Sequence, residues 1–270
     1  MRPSPRTYTY LLGDSRAEAQ RLRDQSKLWD PVSLALFDRL KIKRGWNVLE
    51  IGPGGGSLHK ELRKRVHGPV DYVERSETFA NALIKQNKRD GLGHGLLWNC
   101  NLLDASLPPN TYDLIFARWV FLFLPDPLAH IKLLAKALKP GGVIAIQDYH
   151  RDPLCMIPTP VEWPAFIKAD MAFFASQGGD ASIGAKLPAL YRKAGLQVTD
   201  IHATIKTGNP GSPEWNWMST YFEGVMDDLA KFKPFTPKMA ASLKRQWRAA
   251  AGDPSSLLIS PAVLDVVARK

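Results

Sequence analysis

The stretch "VLEIGPGGGSL" (Val48–Leu58) sets three apolar residues around one acid, then glycines at 52, 54, 55 and 56, then a serine. An apolar run of this length reads as a short buried strand, and the glycines as a strand-to-helix turn. In a parallel sheet such a turn lies at the carboxyl ends of the strands, where ligands bind. The bare backbone allows close approach, and the first turn of the following helix offers free N–H groups.

Phosphate is the first ligand to test, because helix N-termini attract anions. The dinucleotide pattern GxGxxG needs a glycine or alanine at 57 after Gly52 and Gly54, and Ser57 breaks it; a Walker loop needs Gly-Lys before Ser or Thr, which is absent. Glu50 would repel a pyrophosphate at this strand tip but suits a cationic ligand, an amino acid or a sulfonium. An NAD-dependent oxidoreductase is disfavoured on the same two residues.

The pattern around the turn supports a sheet. Short apolar runs near 46–51, 70–74, 95–100, 112–118 and 142–148 alternate with amphipathic stretches near 56–67, 77–89 and 127–139. Strand, helix, strand, helix with strands of five to seven residues predicts a doubly wound α/β domain, helices on both faces. Upstream, Asp14, Ser15 and Glu18 resemble a capping box, and Asp30-Pro31 predicts the start of a second helix through about Leu40. Downstream of Tyr149 come a proline-rich connection, helices near 163–177 and 184–194, a strand candidate at 196–207, further helices to about Ala251, and "AVLDVVAR" as a last strand.

Glu50-x-Gly52-x-Gly54-x-Gly56 resembles the acidic-then-glycine motif of the class I S-adenosylmethionine-dependent methyltransferases. Three further stretches fit that family in order: "VDYVERS", ending in Glu74; "WNCNLLDASLPPNTYDLIFARWVFLFLPDP"; and "ALKPGGVIAIQDY". The likeness covers roughly residues 46–150, and "YLLG…RLRDQSKLWDP" is similar to a helical cap that precedes the fold in small-molecule methyltransferases.

The resemblance implies a Rossmann-like, mostly parallel sheet of seven strands, with a helical cap over 1–44, a donor-binding core over 45–150, and a completing segment over 151–270 whose inserted helices form a lid before the last strand. It implies S-adenosyl-L-methionine as cofactor, held by Tyr10 and Gln25 of the cap, by Glu50, Gly52, Pro53, Gly54, Gly56 and Ser57 of the first turn, and by Glu74 and Arg75 after the second strand. Asn101 and Leu102 after the third strand, and Ala117, Arg118 and Trp119 at the end of the fourth, complete the set. Asn101 stands where the family usually has an aspartate that accepts from adenine, and its side-chain oxygen can still accept.

Methyl transfer needs alignment and exclusion of water more than catalytic groups. Candidate bases at the end of the fifth strand are His150 and Asp148, with Tyr149 between them; Trp215 and Trp217 fall in the lid, where they could contact a sulfonium or a flat acceptor.

The acceptor expectation comes from absences. No (Asp/Asn/Ser)-Pro-Pro-aromatic motif follows the fourth strand and no Pro-Cys nucleophile occurs, so a small-molecule acceptor is favoured. The alternatives are an RNA methyltransferase or a non-catalytic nucleoside-binding relative. The net charge of +10 prompts the first, yet the excess is spread, 22 basic and 15 acidic side chains over 1–150 against 14 and 11 beyond. The two cysteines, Cys100 and Cys155, form no metal-ligand pattern, so no metal is expected. The N-terminus lacks a secretory apolar run and no stretch could span a bilayer, which predicts a cytoplasmic protein, monomer or homodimer, without a membrane partner.

Overall fold

The computed structural model describes residues 16–270 except Asp90, residues 16–20 by their backbone only. Tyr10, Asp14 and Ser15 therefore lie outside the described residues.

The strands are β1 (Val48–Ile51), β2 (Asp71–Val73), β3 (Leu97–Trp98), β4 (Tyr112–Arg118), β5 (Leu138–His150), β6 (Cys155–Ile157), β7 (Gln197–Thr204), β8 (Thr207–Gly208), β9 (Leu257–Ile259) and β10 (Ala262–Arg269). The helices are α1 (Arg16–Leu40), α2 (Ser57–Val66), α3 (Glu77–Asn87), α4 (Pro127–Ala137), α5 (Trp163–Ser176), α6 (Leu187–Lys193), α7 (Pro213–Leu229) and α8 (Pro237–Ala251). Seven strands form one sheet in the order β3-β2-β1-β4-β5-β10-β7. Every pairing is parallel except the two made by β10, which runs antiparallel to both neighbours. The order reverses between β1 and β4, and a crevice opens there at the strands' carboxyl ends.

Side-chain alternation on the central strands explains the layering. Ile115 and Ala117 of β4, with Ile144 and Ile146 of β5, enter a core with Ile131 and Leu134 of α4. Leu114, Phe116, Val143 and Ala145 point the other way, onto Leu36 and Phe37 of α1 and Leu58 and Leu62 of α2. A strand buried on both faces must be apolar at successive positions, which is why these segments read as continuous runs.

A separate core joins α5, α7 and α8 through Phe166, Trp215, Phe222 and Trp247. It rests on a three-stranded antiparallel sheet, β6-β9-β8, that the sequence does not announce. Strands of two or three residues are too short to show alternation.

The expected helix start at Asp30-Pro31 is corrected: α1 runs unbroken through Pro31. Proline there removes one helical hydrogen bond, but buried side chains hold both flanks, Leu28 and Trp29 before it and Leu36 and Phe37 after it. Asp30 is pinned by Arg118 at 2.8 Å. Arg118 also donates to Ser33 at 2.9 Å, Ser33 to Gln147 at 2.5 Å, and Gln147 to Asp265 at 2.6 Å. Arg39 closes the chain on the other oxygen of Asp265 at 2.5 Å. This polar thread ties α1 to β4, β5 and β10.

Candidate active site

A cavity of about 480 Å³ opens at the reversal point between β1 and β4. Of the predicted residues, Gln25, Glu50, Gly52, Pro53, Gly54 and Ser57 border it. So do Glu74, Arg75, Asn101, Leu102, Arg118 and Trp119.

The first turn is shaped by its glycines. Gly52 has φ +62°, and a Cβ there would stand 2.7 Å from a methyl of Val120. Gly56 has φ +76° at the N-cap of α2, where a Cβ would meet Leu83 at 2.4 Å. Gly56 thus packs behind the loop and is not among the lining residues, and neither is Ala117, buried within β4.

Glu50 is buried, and its carboxylate meets Nδ1 of the fully buried His59 at 2.9 Å. The Asn87 amide donates to Nε2 of the same ring at 3.3 Å, so Nδ1 carries the proton that Glu50 accepts. His59 fixes one side of the carboxylate and leaves the rest toward the cavity.

Glu74 accepts from the backbone N–H groups of Gly54 at 3.1 Å and Ser76 at 2.8 Å, which locks the glycine turn to the end of β2. Burial pushes its pKa up against those two hydrogen bonds. Arg75 and Asn101 are exposed at the cavity edge, and the Asn101 amide donates to Asp104 at 3.3 Å. Gln25 is buried and accepts from Arg21 at 2.7 Å.

The other end of the cavity is aromatic. Trp119 sits at φ +53°, a conformation a bulky residue adopts only when its surroundings impose it. Its backbone N–H donates to the Gln147 carbonyl at 2.9 Å, and its ring stacks on Tyr149 with centroids 5.4 Å apart. Trp217 of α7 lines the same wall and meets Trp29 edge-on at 5.3 Å. Trp215, the other lid tryptophan, is instead stacked on Trp247 in the helical core.

The two candidate bases stand apart from the cavity. Asp148 is fully buried and accepts from the N–H groups of Leu122 and Tyr149 at 3.1 and 2.9 Å. Burial pushes its pKa up to about 7 against those donors. Its place is behind the wall, bracing the turn that follows Trp119. His150 is part-exposed beside Asp152 at 3.7 Å and is not a lining residue. A strand's side chains alternate, so neighbours of Tyr149, which faces the cavity, turn elsewhere.

Arg151, Phe174, Tyr221 and His130 also line the cavity, and none was singled out from the sequence. The signal available for Arg151 was a lone arginine at the end of a buried strand. His130 is buried, its Nδ1 meets the Asp126 carbonyl at 2.6 Å, and burial lowers its pKa. Among the described residues no cluster of His, Cys, Asp or Glu could hold a metal ion, and no helix is long and apolar enough to cross a membrane.

A buried acid ahead of a glycine turn, a second acid after β2 and a cavity at the reversal point are the features expected of a seat for an aminoacyl nucleoside. Comparison with known proteins agrees. Residues 49–146 match a family model described as a methyltransferase domain. An uncharacterized methyltransferase of Schizosaccharomyces pombe is 25% identical over 234 residues, covering 81% of this chain and 84% of that protein. An N-terminal Xaa-Pro-Lys N-methyltransferase 1 of Ailuropoda melanoleuca is 33% identical over 103 residues, 37% of this chain and 46% of its own length. The chain thus spans less than half of that second relative. A Haemonchus contortus phosphoethanolamine N-methyltransferase 2 in complex with S-adenosyl-L-methionine superposes with a TM-score of 0.53 at 18% identity, covering 89% of this chain and 52% of that one. With the motif in order along the chain and this topology beneath it, the protein belongs to the class I S-adenosylmethionine-dependent methyltransferases and uses S-adenosyl-L-methionine as its donor.

Proposed function

We propose that this enzyme methylates a small-molecule acceptor. The observation that carries the reading is the aromatic recess: beyond Trp119 the cavity is closed in by Phe174 of α5 and by Trp217 and Tyr221 of α7. A recess of this kind suits a compact, largely apolar ligand better than a polymer backbone.

In this reading Glu50 and the Gly52–Ser57 turn hold the aminoacyl end of the donor, with Gln25 beside them. Glu74 accepts from the ribose hydroxyls, and Arg75, Asn101 and Leu102 border the adenine. The wall opposite the methyl group is Arg118 and Trp119. The bound donor supplies a methyl group already activated by its sulfonium.

The chain's own residues then have three tasks. Trp119 and the lid aromatics exclude water and align the acceptor. Tyr149 borders the recess with its pKa pushed up by burial, so at neutral pH its hydroxyl can donate a hydrogen bond to the acceptor but does not take a proton. The acceptor's lone pair forms the new bond to carbon while the carbon–sulfur pair returns to sulfur, and any acceptor proton leaves to solvent.

The test is transfer of label from methyl-tritiated S-adenosylmethionine into a fractionated cell extract. Label is expected in the low-mass filtrate. Label confined to the RNA or protein fraction would overturn the small-molecule reading.

A further inference from the structure

The recess carries more than aromatic walls. Arg151 is 4% exposed yet borders the cavity, with its guanidinium carbon 5.3 Å from the Tyr149 ring centroid, 5.4 Å from Phe174 and 5.2 Å from Tyr221. A buried cation normally has a well-formed hydrogen-bonded ion pair. Here the Asp170 carboxylate stands 3.5 Å from Nε without a hydrogen bond, and both that Nε and the facing Asp170 oxygen are unpartnered among the described residues.

The other Asp170 oxygen is taken by the Tyr221 hydroxyl. Apart from a contact with that same hydroxyl, the terminal amino groups of Arg151 have no hydrogen-bond partner among the described residues. The planar fork of an arginine in that position is complementary to a carboxylate.

The acids that line the cavity gather at one end. Glu50, Glu74 and Asp104 border the donor end, with Arg75 beside them, whereas Arg21, Arg118 and Arg151 all act electrostatically on Tyr149 at the other end, with the buried Asp148 behind it. A sulfonium placed between them adds positive charge, so an ammonium-bearing acceptor would be repelled and an acid would be drawn in.

We propose that Arg151 is the anchor of the acceptor site and that the acceptor is an aromatic acid, its flat body between the recess aromatics and its carboxylate on the guanidinium. This rests on the small-molecule reading above and names the class of molecule that reading leaves open. Asp170 is a positioning residue: it stands beside the guanidinium, is not a lining residue and does not touch the ligand, whereas Tyr221, which binds its other oxygen, also lines the recess.

The test uses the full chain saturated with S-adenosylhomocysteine and three probes of one shape, benzoate, benzamide and benzylamine, titrated by ligand-observed NMR. Benzoate is expected to bind about tenfold tighter than either of the others. The double variant Arg151→Met with Asp170→Asn, which removes both charges together, should erase that preference. Arg151→Lys keeps the charge but loses the fork and should weaken benzoate about fivefold. Equal binding of the three probes, or a preference that survives either change undiminished, overturns the anchor. The same titrations report S-adenosylhomocysteine binding: its loss in the wild type would sink the donor assignment itself, whereas its presence without a carboxylate preference sinks only the anchor.

Discussion

The two ends of the cavity are built from different materials. The donor end is mostly backbone and acids: a glycine turn, Glu50 braced by His59, and Glu74 hydrogen-bonded to the turn's own N–H. The acceptor end is mostly side chains, with Trp119, Tyr149, Arg151, Phe174, Trp217 and Tyr221 coming from four separate stretches. Backbone geometry constrains ligand shape at close range and tolerates little sequence change. Walls made of side chains can be recomposed without disturbing the fold, which lets one scaffold serve many acceptors.

That contrast can be broken by substitution. The largest effect belongs to the donor end: Glu50→Gln should weaken S-adenosylmethionine about a hundredfold in isothermal titration, because a charge-assisted contact is lost and His59 keeps its partner only as a neutral pair. A loss below about threefold would mean that the cavity's acid is not the donor's partner.

Next, Trp217→Ala should lower acceptor kcat/KM about tenfold while donor affinity stays within about twofold, since Trp217 walls the recess and packs on Trp29 rather than on the glycine turn. Equal losses on both substrates would show that the two ends are not independent.

Asp148 tests the brace between them. Its carboxyl titrates near 7 in the folded chain against an ordinary 3.8, so the folded form holds a proton that the unfolded form has released. Stability from this group is therefore full below about pH 4 and is lost as pH rises through 7. Asp148→Asn should lower stability by about 1–2 kcal/mol at pH 5, through a lost backbone hydrogen bond. Urea denaturation should show that deficit shrinking by pH 8; a constant deficit would place the titration elsewhere.

The smallest effect is expected at His150, which lies off the cavity: His150→Asn should change kcat/KM by no more than about twofold, as for an ordinary surface substitution. A larger loss would return it to the acceptor site.

The same contrast decides what could be read from residues alone. Glu50, the glycines and Glu74 lie within one strand–turn–helix–strand segment, so local order carries their meaning. His59, the partner of Glu50, is invisible because its role depends on a buried contact across the turn. Arg151, Asp170 and Tyr221 are separated by up to seventy residues, and only the packing of α5 and α7 over β5 brings them together. Residue chemistry alone points to "QDYH" for a base, but alternation along β5 lets Tyr149 face inward and turns Asp148 behind the wall. Pro31 misled for a related reason: local propensity favoured a break, and tertiary anchoring on both flanks overrode it.

β10 has a consequence for how the chain comes to exist. Of the seven strands of the main sheet, β10, which lies between β5 and the edge strand β7, comes last along the chain. Until it arrives β5 ends in an open edge, Gln147 and Arg39 lack Asp265, and the polar thread from α1 hangs loose. The stretch that bears the family's likeness, residues 49–146, is thus not self-sufficient: a nascent or truncated chain holding all of it would display an adhesive sheet margin instead of a finished enzyme.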